Sequence, residues 1–330
     1  AYADAIPISG TFELTPRCNF NCRMCYVHLK PEQIPLYGRE LTAKEWLHIA
    51  SEAQEAGTTW LCVTGGEPLV HPEFETIWRE LTQMGFFITL QTNASLIEGK
   101  MARLLEECPP RAVKITLYGS DDQVYEQVCQ VKEGFTRVDR GIQILREMKI
   151  PVQLISTVIR QNEADVQKMA FYAFRNQLPW MATGGVKASV RTPNSEAREV
   201  RVQEKMDEQK KEEIRQRFKN APVNIERKPC TYCKDYRLGY WVTWNGMMRF
   251  CSFMNEPDIP VLERAFPQAW KELIEYEEAL DWPEECKTCK ANTVCVKCAG
   301  TLAAECGSPH RVTEEFCSEV KRVYDEEKGE

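Results

Sequence analysis

Between residue 10 and about residue 190 the chain alternates short apolar runs with longer stretches whose apolar residues recur at helical spacing. GTFELT precedes TAKEWLHIASEAQEAG, TTWLCVTGG precedes PEFETIWRELTQMG, and FFITLQT precedes SLIEGKMARLLEE. AVKITLYG is then followed by FTRVDRGIQILREMK, PVQLISTVI by ADVQKMAFYAFRNQ, and a sixth, weaker strand-like run lies at PWMATG. No hairpin signal joins one run to the next. Strands separated by helices pair in parallel through right-handed crossovers, which restricts this part of the chain to an α/β fold. The periodicity fits either an open doubly wound sheet or part of a barrel. In both, ligands gather at the carboxyl ends of the strands.

The pattern ends near residue 194. A charge-rich stretch, SEAREVRVQEKMDEQKKEEIRQRFK, then predicts a solvated linking helix over residues 195–225. Residues 226–330 form a smaller cysteine-rich α+β region with a hairpin, YWVTWNGMMRFCSF, turning at Asn245 and Gly246. The helix ERAFPQAWKELIEYEEAL follows, and its Trp270, Leu273 and Ile274 are expected in a core. Residues 1–194 are thus read as the larger domain and residues 226–330 as the smaller one.

Fifteen cysteines need a chemical explanation. Disulfides belong mainly to small secreted domains, whereas these cysteines cluster at the two ends of a large chain whose first residues carry no secretory signal. Metal binding is favoured. C-x2-C pairs at 22/25, 230/233, 286/289 and 295/298 would suit zinc, but the four histidines, His28, His48, His71 and His310, form no paired spacing. All-thiolate sites suit iron-sulfur clusters equally well, so spacing decides. The formal charge of -7 argues against nucleic acid or an anionic membrane surface as partner. No apolar run approaches a bilayer span, and a cytoplasmic protein is expected.

Cys18, Cys22 and Cys25 lie in the turn after the first strand, within TPRCNFNCRMCYV. Three thiolates leave one iron of a four-iron cluster without a protein ligand, and an open iron is a place for chemistry. This C-x3-C-x2-C loop resembles that of the radical S-adenosylmethionine superfamily, and the resemblance covers roughly residues 8 to 190. It implies a partial (β/α)6 barrel in which the open iron holds S-adenosylmethionine. It also implies cofactor contacts from TGGEP (Thr64, Gly65, Gly66, Glu67 and Pro68), from Thr92 and Asn93 in QTNAS, from Thr116 in ITLYG, and from Ser156 after the fifth strand. Thr157 is a weaker candidate there, and Met24 would lie beside the adenine.

The C-terminal cysteines resemble the SPASM extension of that superfamily. Twelve residues separate Cys233 from Gly246, and four separate Gly246 from Cys251. Cys286, Cys289, Cys295, Cys298 and Cys317 come next, with two residues between Cys295 and Cys298 where the family usually has three. With Cys230 these make eight thiolates, enough to close two further 4Fe-4S clusters. The resemblance assigns Cys230, Cys233, Cys251 and Cys298 to one and Cys286, Cys289, Cys295 and Cys317 to the other. Cys62, Cys108, Cys129 and Cys306 are left over. The first three are expected as small buried apolar residues and Cys306 as the most exposed of the four.

By resemblance the enzyme cleaves S-adenosylmethionine reductively to a 5'-deoxyadenosyl radical that abstracts a substrate hydrogen. SPASM proteins commonly act on peptides, so a ribosomally made peptide oxidised to a thioether or carbon-carbon cross-link is expected. A peptide epimerase is the alternative, with Cys306 and then Cys62 as hydrogen donor. A small-molecule enzyme of tetrapyrrole or sugar metabolism is a second alternative. Sulfatase maturation is disfavoured because related enzymes carry aspartate after the cysteine matching Cys251, where Ser252 stands. A reductant such as flavodoxin or ferredoxin is implied. Seventeen residues precede Cys18, too few for a leader-binding winged helix, so any leader is expected to be bound by a separate leader-binding protein, by the barrel or by the cluster domain.

Overall fold

A computed structural model describes residues 5–202, 212, 216, 228–230, 239–293, 295 and 297–328. Six parallel strands, β1 (Ser9–Glu13), β2 (Trp60–Thr64), β3 (Phe87–Thr92), β4 (Ala112–Thr116), β5 (Val152–Thr157) and β6 (Trp180–Thr183), follow one another in sheet order. The longer helices between them are α1 (Ala43–Glu55), α2 (Phe74–Gln83), α3 (Gly99–Glu107), α4 (Asp122–Cys129), α5 (Gly134–Glu147) and α6 (Val166–Arg175). This is the expected α/β arrangement. One helix, α4, has no counterpart in the sequence reading. At eight residues it is too short to establish a helical period beside the longer α5.

Local signals account for the elements. Thr42 caps α1 by accepting from the Glu45 amide, and the Glu45 side chain returns the bond to the Thr42 amide. Phe12 of β1, Trp46 and Ile49 of α1 and Ile77 and Trp78 of α2 are fully buried, so the alternate strand positions pack on a helix layer. The intervening positions of β2, β4 and β5, including Cys62, Lys114 and Gln153, are only half-buried and face the hollow of the partial barrel.

The expected hairpin is present, as β7 (Gly239–Val242) and β8 (Met247–Arg249) turning at Asn245 and Gly246, where Gly246 has φ +82°. It is not separate from the barrel sheet. β7 pairs in parallel with β1, and β9 (Ile259–Pro260) completes a nine-stranded sheet. Gly10 permits this junction, because a Cβ there would stand 2.3 Å from the Tyr240 ring. Tyr240, Val242, Met248, Trp270, Leu273 and Ile274 belong to the same apolar core as the barrel. The helix expected over 263–280 is broken at Ala265, φ +61°, into Val261–Arg264 and α7 (Phe266–Ala279).

Two further helices, α8 (Ala299–Cys306) and α9 (Glu314–Lys328), lie beyond it. The first of them contributes Ala299 and Ala303 to a small second core with Cys230, Met254 and Leu280. Most of the charged stretch expected as a linking helix lies outside the described residues. Its start is a single turn, Ala197–Val200, after which Arg201 forms an antiparallel bridge with Ile159.

Candidate functional site

The cysteine loop is fastened to the barrel by backbone. Leu14 donates to the Thr64 carbonyl at 2.8 Å, Gly66 to Thr15 at 2.7 Å and Glu67 to Arg17 at 2.9 Å. These approaches explain the paired glycines, since a Cβ on Gly65 would meet the Thr15 oxygen at 2.8 Å and one on Gly66 the Arg17 oxygen at 2.4 Å.

Glu67 joins three turns. Its buried carboxylate accepts from the Leu69 amide (3.1 Å), the Thr92 hydroxyl (2.8 Å) and the Asn93 amide (2.8 Å). Asn93 Nδ2 donates to Asn19 Oδ1 at 2.9 Å and lies 3.9 Å from the Cys18 sulfur, and Asn19 Nδ2 donates to Ser95 Oγ at 2.8 Å. TGGEP, QTNAS and the cysteine loop are therefore one hydrogen-bonded unit at the carboxyl end of the sheet. Burial pushes the Glu67 carboxyl up to about 7 despite its three donors.

The three thiols lie within electrostatic range of one another. Burial is the first cause of the upward shift at Cys18, with Cys22 next, and Cys25 is pushed up to about 11 by burial and then by Cys22. Cys22 is raised first by its bond to the Cys129 thiol and then by burial. Cys129 is buried as expected, but it also bears on a candidate ligand. Cys18 accepts from the Phe20 amide and Cys25 from the His28 amide, each at 3.3 Å. Among the described residues no group of three or more His, Cys, Asp or Glu forms a single-ion site. Three neighbouring thiols whose ionised forms would repel one another, two of them with N–H groups aimed at their sulfurs, suit a cationic iron-sulfur unit that would neutralise the thiolates.

The other proposed contacts divide. Met24 is buried beside the loop, and Thr116 ends β4 with its side chain on the half-buried face. Ser156 requires correction. Its hydroxyl donates to the Leu117 carbonyl at 2.6 Å, accepts from Trp180 Nε1 at 2.9 Å and lies 3.7 Å from Met169 of α6, so it faces the helix layer. Strand alternation gives the inward position to Thr157.

Sequence reasoning missed a charged group inside the barrel. Glu13 of β1 is fully buried and receives both Arg191 nitrogens, at 2.8 and 2.5 Å, together with Trp241 Nε1 at 3.1 Å. The Arg191 guanidinium also lies 5.4 Å from the Tyr26 ring centroid. A charge inside the strand run GTFELT was the available signal for Glu13. Arg191 lies in an irregular loop with no periodicity to mark it.

Four C-terminal thiols form one group. Cys286, Cys289, Cys295 and Cys317 act electrostatically on one another. Burial leads the shift of Cys286 to about 11, partly offset by Lys297. Cys230 shares an apolar cluster with Cys251 and Ala299, and the Cys251 sulfur is 3.2 Å from where a Cβ on Gly300 would stand. Cys298 caps α8, its sulfur accepting from the Thr301 amide at 3.4 Å. Cys233 lies outside the described residues. None of the fourteen cysteines among the described residues is in a disulfide.

The leftover cysteines reverse one expectation. Cys306 is 2% exposed, because it closes the apolar helix α8 and its sulfur points to Thr313 Oγ1 at 3.7 Å. Cys62 instead stands half-buried on the inner face of β2, within electrostatic reach of Lys114. Cys108 is also half-buried, beside Arg79.

Residues 12–173 match the Radical SAM superfamily. That stretch is a Radical SAM domain, and the family implies a 4Fe-4S cluster and S-adenosylmethionine. Among curated relatives it is 29% identical over 157 residues to an AdoMet-dependent heme synthase of Methanosarcina barkeri, spanning 48% of this chain and 44% of that one. It is 27% identical over 157 residues to a PqqA peptide cyclase of Rhodopseudomonas palustris, spanning 48% and 41%. The chain thus spans less than half the length of either relative. In fold it resembles Streptococcus suis SuiB bound to its precursor peptide SuiA, with TM-score 0.68, 16% identity and coverage of 95% of this chain and 76% of that one. Native anSMEcpe with bound AdoMet gives TM-score 0.57 and 16% identity over 97% and 96% of the two chains. Among the described residues no helix is long and apolar enough to cross a membrane.

Proposed function

We propose that this chain is a peptide-modifying radical enzyme whose N-terminal cluster is held by Cys18, Cys22 and Cys25. The observation that carries the reading is the Glu67 network, which fastens the cysteine loop to the TGGEP and QTNAS turns. When bound, the cluster and S-adenosylmethionine supply a 5'-deoxyadenosyl radical. The chain's own residues do the rest: Thr64 to Pro68, Thr92, Asn93, Thr116 and Met24 orient the cofactor, and the inner faces of β2, β4 and β5 position the substrate carbon.

The C-terminal thiols support two auxiliary clusters, held by Cys230, Cys233, Cys251 and Cys298 and by Cys286, Cys289, Cys295 and Cys317. On this reading residues 1–194 carry the radical chemistry and residues 226–330 the auxiliary clusters. Two closed clusters suit a net two-electron oxidation such as a cross-link, in which one electron must leave after hydrogen abstraction. The peptide cyclase and precursor-bound relatives support a peptide substrate. A reductant such as flavodoxin or ferredoxin is proposed with it. Anaerobic reconstitution tests the chemistry. The loaded protein is expected to form 5'-deoxyadenosine on reduction with the cofactor, and zinc in place of iron would refute it.

The epimerase reading now rests on Cys62, the cysteine on the inner face of the barrel. In deuterated water an epimerase adds one deuteron to the peptide, whereas a cross-link removes two hydrogens.

A further inference from the structure

One segment, residues 187–201, touches both cysteine regions. On the cofactor side, Ser189 Oγ donates to the Tyr26 carbonyl at 3.0 Å and Thr192 Oγ1 to the His28 carbonyl at 2.7 Å. The Glu196 amide donates to the Arg23 carbonyl at 2.7 Å, and Arg23 returns an ion pair to Glu196 at 2.7 Å. These partners flank Cys22 and Cys25. From the same segment Arg191 reaches Glu13 on the first strand.

On the other side, three bonds converge on one residue. Glu305 Oε1 accepts from the Ala188 amide at 3.0 Å, Oε2 from Arg201 at 2.9 Å, and the Glu305 carbonyl from Arg198 at 3.1 Å. Glu305 lies in the last turn of α8, whose N-cap is Cys298. A helix of eight residues is about 12 Å long and moves as a rod, so a displacement of Cys298 reaches Glu305 with little loss. A second contact runs parallel to the first. The Tyr26 and Phe253 rings stand 5.5 Å apart, next in sequence to Cys25 and two residues beyond Cys251, and Lys187 lies 5.0 Å from the Phe253 ring.

We propose that Glu305 is a positioning residue for the cofactor site: by clasping residues 187–201 it lets the C-terminal cysteine region set how firmly this strap closes over the cysteine loop. The proposal rests on the function proposed above. Two arrangements differ in their contacts. With the strap docked, the carbonyls of Arg23, Tyr26 and His28 are all paired, whereas with it released they lose those donors and the cysteine loop loosens. Filling the thiol group that contains Cys298 fixes α8 and favours the docked arrangement. The coupling is reciprocal, so cofactor binding in turn steadies α8.

The test compares the fully loaded parent with Glu305→Ala, measuring iron content, S-adenosylmethionine affinity, the cofactor-induced change in the EPR signal of the reduced protein, and hydrogen exchange over residues 187–196. The variant is expected to keep the parental iron content, exchange faster in that segment and bind S-adenosylmethionine about fivefold or more weakly. Glu305→Gln, which keeps the acceptor oxygens in part, should fall between the two. Should Glu305→Ala lose iron, the double variant Arg198→Gln, Arg201→Gln removes two of the clasp's three bonds from the strap side, away from the cysteines. Parental cofactor affinity in an iron-replete variant overturns the proposal, even if exchange is faster. A parent that binds no S-adenosylmethionine refutes the underlying function instead, a distinct result.

Discussion

The two cysteine regions are built on opposite principles. Around Cys18, Cys22 and Cys25 the positions are set by protein: backbone bonds to β2, the Glu67 network, and a core that includes Phe12, Trp46 and Trp78. Around Cys286, Cys289, Cys295 and Cys317 the supports are short helices and turns, and among the described residues the neighbouring core has only a few buried side chains. The first site is held by contacts that the protein itself supplies. The second is a set of thiols with little apolar burial to hold them among the described residues, the situation in which metal binding would supply folding free energy.

The largest expected effect separates them directly. Removing all iron with a chelator should leave the barrel's hydrogen-exchange protection in β1 to β5 near that of the loaded protein, while residues 284–317 lose theirs. Replacing Cys18, Cys22 and Cys25 together with alanine should do the reverse chemically: about eight of about 12 irons remain, and cofactor cleavage disappears. A barrel that melts with the C-terminal region on chelation would abolish the contrast.

Within the C-terminal region the two thiol groups should respond separately. Cys298→Ala is expected to lose the same cluster as Cys251→Ala, and Cys317→Ala the same one as Cys286→Ala, each removing about four irons. Iron analysis with anomalous scattering reads this out. Cys298 bound to the same cluster as Cys289 would overturn the interleaved pairing.

Inside the barrel, Arg191→Met leaves Glu13 as a buried carboxylate without its cation. Breaking a buried pair in this way costs about 3–5 kcal/mol, and denaturant unfolding of the iron-loaded protein measures it. The double replacement Glu13→Gln, Arg191→Met should recover much of that loss, because no charge remains buried. A double variant no more stable than the single one would mean that the pair holds the strap by its geometry rather than by charge balance.

The same contrast explains what the sequence made legible. Six strands and most helices could be read because each carries a period, and the cysteine loop because its spacing is local. The junction of β7 with β1 could not, since it depends on Gly10 leaving room for Tyr240, a contact across 230 residues of chain. The exposure expected for Cys306 followed from its place between ligands, whereas its burial follows from the packing of Leu302 and Ala303 on the same helix. Ser156 was assigned from its place after the fifth strand. Strand parity, which Leu154 already signalled, turns it toward α6.

The smallest expected effect concerns Glu67, where the first site stores its own strain. Its carboxyl ionises near 7 in the folded protein and near 4.5 when unfolded, so between those values the folded chain holds a proton that the unfolded chain has released. Stability from this group is therefore full below about pH 4.5 and declines as the pH rises through 7, by about 3 kcal/mol at most. Glu67→Gln cannot titrate. It leaves an acceptor for the Thr92 hydroxyl but turns an N–H toward the Asn93 amide, a mismatch of about 1–3 kcal/mol. In the metal-free protein the parent should exceed the variant in stability at pH 5, and the gap should narrow toward pH 8. Carboxyls elsewhere titrate identically in both proteins and cancel from the difference. A gap that stays constant or widens with pH would mean that the three donors, not burial, govern this carboxylate, and that the turn is ionised before any cofactor ammonium reaches it.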